Sequence, residues 1–219
     1  MNAETHAGAV LAVVRVTGAS ISTMGGMLAA ETVSATDATI ARVDELQLDL
    51  GEGPCWDALD TGRPVLEPDL IGAPRRSWPA FSPALRAEPI GALFAFPMSV
   101  GPFRIGAIDL YDVRPRELGD DDVAGVVEFA AATGRQVLRR ALRFTSIDDI
   151  DVIPPHARRV IHQATGFVIA QLGVTAEDAE LLIRASAFAE GRPMRGIAEE
   201  LVSRRRRFTV DGTVIGDGS

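Results

Sequence analysis

The residues best suited to chemistry lie in the last third of the chain and are all of one type. Between residues 156 and 210 stand nine arginines against six acids, a balance of +3, whereas residues 1–143 hold 13 arginines against 19 acids, a balance of −6. No lysine occurs anywhere, so every basic group is a guanidinium. Guanidinium groups grip phosphate with two parallel hydrogen bonds and stack on unpaired bases, which suits loops of RNA better than duplex reading. Arg158, Arg159, Arg184, Arg192 and Arg195 are the candidates. A bland reading also fits: a solvated helical face with salt bridges to Glu177, Glu180 and Glu199. The run Arg204–Arg207 either adds non-specific phosphate affinity or complements the negative end of a helix, and both readings stand.

The first two thirds offer less reactive material. Cys55 is the single cysteine, so no intramolecular disulfide and no multi-cysteine metal site can form. A lone cysteine after Gly53-Pro54 reads as a small buried hydrophobe rather than a nucleophile. Asp109 and Asp112 lack an identifiable acid–base partner, and no Walker-type or dinucleotide glycine pattern occurs. Asp120–Asp122 lacks the wider spacing of a calcium loop and reads as a helix start. These absences lead to the expectation of a protein that is not an enzyme and holds no metal. Trp56, Trp78 and Phe81 either line a small-molecule pocket or fill a core.

The net charge of −8 argues against nucleic acid coating the whole length, and the basic end is a separate electrostatic body. The sequence has no basic leader before its first apolar run and no stretch near the roughly 18 apolar residues of a membrane span. A soluble protein of a reducing compartment, the cytoplasm, is the expectation.

The elements that must position these groups follow from spacing. Residues 7–17 read as a short apolar helix. Ala19–Met24 and Met27–Val33 read as strands around Gly25-Gly26, and Asp37–Leu48 as a helix. Gly51–Trp56 breaks that helix and starts a shorter one, followed by a proline-rich stretch over 60–89. Ile90–Met98 and Arg104–Asp112 form an antiparallel hairpin. A long helix of roughly 24 residues starts at Asp120, with Val123, Val127, Ala130, Gly134, Val137 or Leu138 and Ala141 on one face. That stripe suggests homodimerisation. Residues 144–155 end in two prolines and read as a linker. Three helices follow, His156–Leu172, Ala176–Ala189 and Met194–Arg207. Their stripes are Val160/Ala164/Phe167/Val168, Ala179/Leu182/Ile183/Ala187 and Met194/Ile197/Ala198/Leu201, and they face one another as a small bundle. The last residues, 209–219, read as a disordered tail.

Two stretches resemble known families. Gln163-Ala164-Thr165-Gly166, Glu177-Asp178-Ala179, Ile183-Arg184, Ala187 and Ile197-Ala198 resemble the ANTAR domain over about residues 156–208. Thr165 stands where many members carry lysine, and Ile183 where leucine is usual. Glu45-Leu46-Gln47, Gly51–Cys55, Gly62–Val65, Asp69-Leu70, Trp78-Pro79 and Ile105–Tyr111 resemble a GAF domain over about residues 17–143. The pair implies an α+β GAF domain (antiparallel sheet flanked by helices) over 1–143, followed by an all-α three-helix ANTAR bundle over 156–208. It further implies a transcription antitermination regulator. Its ANTAR domain would bind paired stem-loops in nascent transcripts through Arg158, Arg159, Thr165, Arg184, Arg192 and Arg195. Its GAF domain would sense a small molecule or a partner protein. The rivals are an enzyme using Cys55 and a sensor whose helical module binds protein instead of RNA.

Overall fold

Gly18–Thr23, Glu31–Ala35, Val65–Glu67, Ala92–Val100 and Phe103–Asp112 become strands β1 to β5; β1 alternates polar with apolar residues, while β4 is a nearly continuous apolar run, as a strand covered on both faces requires. They form one antiparallel sheet in the order β2-β1-β5-β4-β3. The computed structural model describes residues 4–24, 28, 30–72, 76, 78–143, 158–209 and 214–216. Two compact units result, Met1–His156 and Ala157–Ser219. The linker expected over 144–155 lies outside the described residues.

In the first unit both faces of the sheet are covered. Helix α1 (Glu4–Val10) and the 24-residue α5 (Asp120–Arg143) pack on one face, over Ile21, Phe94, Phe96, Met98, Ile108 and Leu110. Helices α2 (Ala38–Leu50), α3 (Pro54–Thr61) and α4 (Phe81–Leu85) cover the other, over Leu93, Ala95, Ala107 and Tyr111. Asp37 caps α2 by accepting from the amides of Thr39 and Ile40 at 2.9 and 3.0 Å, which satisfies donors a helix start leaves open. Gly51 ends the helix with φ of 66°, a conformation that costs other residues a Cβ clash. Pro97 is tolerated in β4 because the short β3 pairs only with Leu93–Ala95, leaving the edge beside Pro97 open. A Cβ at Gly106 would strike the Ser22 carbonyl oxygen, so glycine lets β5 and β1 lie at pairing distance.

The second unit is built from α6 (Arg159–Leu172), α7 (Ala176–Glu190) and α8 (Met194–Val202). Thr175 caps α7 by accepting from the Asp178 amide at 3.1 Å. The core joins Ile161, Ala164 and Val168 with Ala179, Ile183 and Ala187, and with Met194, Ile197, Ala198 and Leu201.

Several expectations are corrected. Strand β2 is Glu31–Ala35, and the turn expected at Gly25-Gly26 and the strand start expected at Met27 lie outside the described residues. The 60–89 stretch contains β3 and α4. On α5 it is Val126, not Val127, that is buried, and Gly134 lies against Met98 with room for little else. The α5 stripe behind the homodimer expectation is thus occupied by the chain's own sheet. In the bundle Phe167 is half-buried and Leu182 exposed, while Ile161 takes the core position. The third helix stops at Val202, not Arg207. Residues Arg206–Phe208 form β6, paired antiparallel with β7 (Val214–Gly216), so 209–219 holds a strand where a disordered tail was expected.

Candidate nucleic-acid interface and sensor site

The six residues predicted to contact RNA are scattered over the bundle in different states. Arg158 stands just before α6 and is only 7% exposed, with its guanidinium 3.5 Å from the Met194 sulfur. Burial in the bundle takes it off the surface. Arg159, one position on, is exposed and makes no ion pair among the described residues. Thr165 turns its hydroxyl back to the Ile161 carbonyl at 2.9 Å, satisfying it within its own helix. Arg184 projects from the middle of α7 with its Nη2 3.3 Å from Glu180 Oε1, in an i,i+4 pair whose partners are about two-fifths exposed. Arg195 pairs with Glu199 in the same way at 3.1 Å. Such exposed pairs are worth at most about 1 kcal/mol, so a phosphate can displace the carboxylate cheaply.

Arg192 differs. It bonds Glu190 at 3.1 Å and Glu200 at 2.5 Å, and those same carboxylates are gripped by a residue that spacing did not single out. Arg206, inside the four-arginine run, turns inward from β6. It holds Glu190 through two bonds of 2.6 and 2.9 Å, Glu200 at 2.8 Å and the Ser186 hydroxyl at 2.8 Å. The Arg206 bonds hold the Glu190 carboxyl below the usual carboxylate range, and the Arg192 and Arg206 bonds do the same for Glu200. The sequence signal for this inward turn is the alternation Arg206-Arg207-Phe208, with apolar Phe208 buried beside Arg206.

In the first unit, Trp78 and Phe81 are buried and meet edge to face at 5.9 Å, part of the core between sheet and helices. Trp56 is half-buried, and its Nε1 donates to the Gln47 carbonyl at 2.7 Å. All three aromatics pack in or against the core on this face of the sheet. What the sequence reading missed is a polar cluster on the same face. Asp44 accepts from the hydroxyls of Ser22 and Thr32, and Gln47 donates to Asp109 Oδ2. Gln47 Oε1 in turn accepts from the Cys55 amide at 2.9 Å. Ser20 faces Asp109 across the β1–β5 ladder. Ser20 Oγ and Asp109 Oδ1 are both buried without a hydrogen-bond partner among the described residues. Burial and then the Asp44 charge push the Asp109 carboxyl well above its ordinary range.

Cys55 lies against this cluster, fully buried, and burial, then Asp109 and Asp44, push its thiol up. Since the thiolate is the nucleophile, Cys55 is expected to react with Ellman's reagent at least about 100-fold more slowly in the folded protein than in denaturant. Fast labelling of the native chain would contradict this. Among the described residues no group of histidine, cysteine, aspartate and glutamate could hold a metal ion. Among the same residues no helix is long and apolar enough to cross a membrane.

The chain is thus an antiparallel sheet between helices, followed in sequence by a three-helix bundle. The GAF domain model matches residues 5–138 and the ANTAR domain model residues 155–202, so the chain belongs to the GAF family and carries an ANTAR domain behind it. None of the curated proteins matches the sequence. Among solved structures, a domain of a two-component sensor histidine kinase protein from Sinorhizobium meliloti 1021 aligns with a TM-score of 0.53 and 18% identity, covering 64% of this chain and 92% of that one. The cyanobacteriochrome TePixJ GAF domain (TM-score 0.49, 20% identity, 64% and 88% covered) is also similar. So is the second GAF domain of DevS from Mycobacterium smegmatis (0.47, 13%, 65% and 96%). At these identities the likeness is one of fold. The pairing of domains makes the chain a ligand-sensing regulator.

Proposed function

We propose that this protein is a transcription antitermination regulator of the cytoplasm that binds RNA stem-loops in nascent transcripts through its ANTAR domain. Holding such a structure keeps a downstream terminator from forming, so transcription continues, and no covalent chemistry is required. The observation that carries the reading is the ANTAR match over 155–202, on a bundle whose acids are outnumbered by arginines. Arg159, Arg184 and Arg195 form the contacting set, with Arg192 a partial member and Thr165 beside them. The GAF domain senses a small ligand on the sheet face beneath α2 and α3. There Ser20 and Asp109 offer two oxygens to a molecule bearing hydrogen-bond donors. Such a ligand changes output only through unequal affinity for two arrangements of the protein.

The decisive variant is Arg184→Glu. It is expected to weaken binding of a labelled tandem stem-loop RNA at least about tenfold at low salt, with the helical circular-dichroism signal unchanged. Binding equal to wild type would remove Arg184 from the site. One observation favours a second reading: Leu181 and Phe188 on α7 are 58% and 66% exposed, an apolar strip beside Arg184 suited to a protein partner. Salt separates the two, because arginine–phosphate binding weakens steeply as salt rises.

A further inference from the structure

We propose that the C-terminal hairpin, beyond the ANTAR match, is a phosphate-gripping arm that extends the RNA interface through Arg204, Arg205 and Arg207. The inference rests on the RNA-binding reading above and adds a surface that the family match, ending at residue 202, does not include. It starts from an account of the unit's cations. Arg184, Arg192, Arg195 and Arg206 are each tied to a glutamate, and Arg158 is buried. The guanidiniums with no ion pair among the described residues are Arg159, Arg204, Arg205 and Arg207. Three of these four stand within four consecutive residues, and all three are exposed.

The hairpin holds them in place. After α8 the chain turns at Arg204, whose φ of 62° is rare for a residue with a Cβ. The turn is closed by the Arg204 amide on the Leu201 carbonyl at 3.1 Å and the Arg205 amide on the Glu200 carbonyl at 2.9 Å. Strand alternation then sends Arg206 and Phe208 inward and Arg207 outward. The inward pair is anchored at both points: Arg206 on Glu190, Glu200 and Ser186, and Phe208 in the bundle core with its amide on Gln171 Oε1 at 3.1 Å. Anchored in this way, the strand fixes where the three exposed arginines stand. Uncompensated positive charge on a rigid edge, in a chain of net charge −8, fits a polyanion. The regular polyanion within reach of an RNA-binding bundle is the phosphate backbone.

The test uses the full chain and a fluorescein-labelled RNA of two tandem stem-loops, with binding followed by anisotropy over a salt series. Each phosphate neutralised contributes about 0.7 to 0.9 to the slope of log affinity against log salt. Replacing all three residues (R204Q/R205Q/R207Q) should lower the magnitude of the slope by about 2 to 2.7. Affinity at 0.1 M salt should fall about 100-fold, because those contacts fade only near 1 M. The triple lysine variant should keep most of the slope. Since the three side chains are exposed and make no ion pair among the described residues, Arg205 holding only the Ser203 hydroxyl at 3.0 Å, the melting temperature of either variant should match wild type. If the glutamine variant keeps the wild-type slope and affinity, the arm is not part of the interface, while the bundle's own RNA binding stands. A uniform loss of affinity with no change in slope equally overturns the arm. If the wild-type chain binds no RNA at low salt yet captures an acidic peptide through these arginines, the arm serves a protein, and both readings fall together.

Discussion

Replacing Arg206 with alanine is expected to loosen the C-terminal unit by about 2–3 kcal/mol while leaving the sensor untouched. Removing one member of a buried ion pair typically costs about 3–5 kcal/mol, because the charge left behind is unpaired. Here the expectation is set lower, since Arg206 is 8% exposed but Glu190 and Glu200 keep 35% and 22% of their side-chain surface. In a domain of about 60 residues that loss moves the melting point down by about 10–20 °C. The chain supplies its own control. Its only tryptophans, Trp56 and Trp78, lie in the first unit, so fluorescence follows the sensor alone while circular dichroism follows helices of both. The low-temperature dichroism transition should shift, and the fluorescence transition should not. Arg206→Met combined with Glu190→Gln and Glu200→Gln should recover part of the loss, since the one charge then left without its carboxylates, Arg192, keeps 39% of its side-chain surface in solvent. If Arg206→Ala melts like wild type, the network is ornamental, and the anchoring of the hairpin goes with it.

The same network gives the bundle a pH dependence of known sign. Both glutamates are held below their ordinary range in the folded protein. Their contribution is therefore complete above the ordinary glutamate range and is lost as pH falls through the lowered folded values. Arg206→Ala should remove most of the Glu190 share of the acid sensitivity, while Arg192 preserves most of the Glu200 share.

What could be read from residues alone divides along a physical line. Long helical periods with marked ends were legible: α5 runs from the Asp120 start to Arg143, and the stripe Met194/Ile197/Ala198/Leu201 is wholly core. Side chains that alternate with period two carry less information. The serines of β1 give no sign of their burial, yet helices cover both faces of this sheet, so Ser20 and Ser22 are buried with Ile21. Asp109 looked partnerless for the same reason, since Gln47 reaches it from 62 residues away. Arg206 was hidden in a run of identical residues, where helix spacing after Leu201 puts Arg204 or Arg205 on the core side and strand spacing turns Arg206 inward instead. Arg158 and Arg159 are adjacent and chemically identical, and only packing against Met194 separates a buried group from an exposed one.

Asp109→Asn is expected to stabilise the sensor by about 1–3 kcal/mol at neutral pH, the usual size of the burden of a buried polar group left unmatched. Asp109 lies buried beside Asp44, and only one of its oxygens is bonded, by Gln47. Asparagine keeps the shape, lets its carbonyl accept from Gln47, and turns a donor toward the unpartnered Ser20 hydroxyl across the ladder. The folded-state pKa of Asp109 is raised, so its contribution to stability is complete below the ordinary aspartate range and is lost as pH climbs through the raised folded value. Tryptophan fluorescence melts should show that decline in wild type, and Asp109→Asn should flatten it. A variant less stable than wild type at pH 7 would mean that the charged carboxylate is itself wanted there. Sensor and output thus carry opposite acid responses from these groups: protonation relieves the cluster around Asp109 and weakens the clamp around Arg206. A strained carboxylate persists in a domain core against about 1–3 kcal/mol only where something gains from it. A ligand that supplies the missing hydrogen bonds would be bound most tightly by the arrangement in which Asp109 is charged and Ser20 faces it.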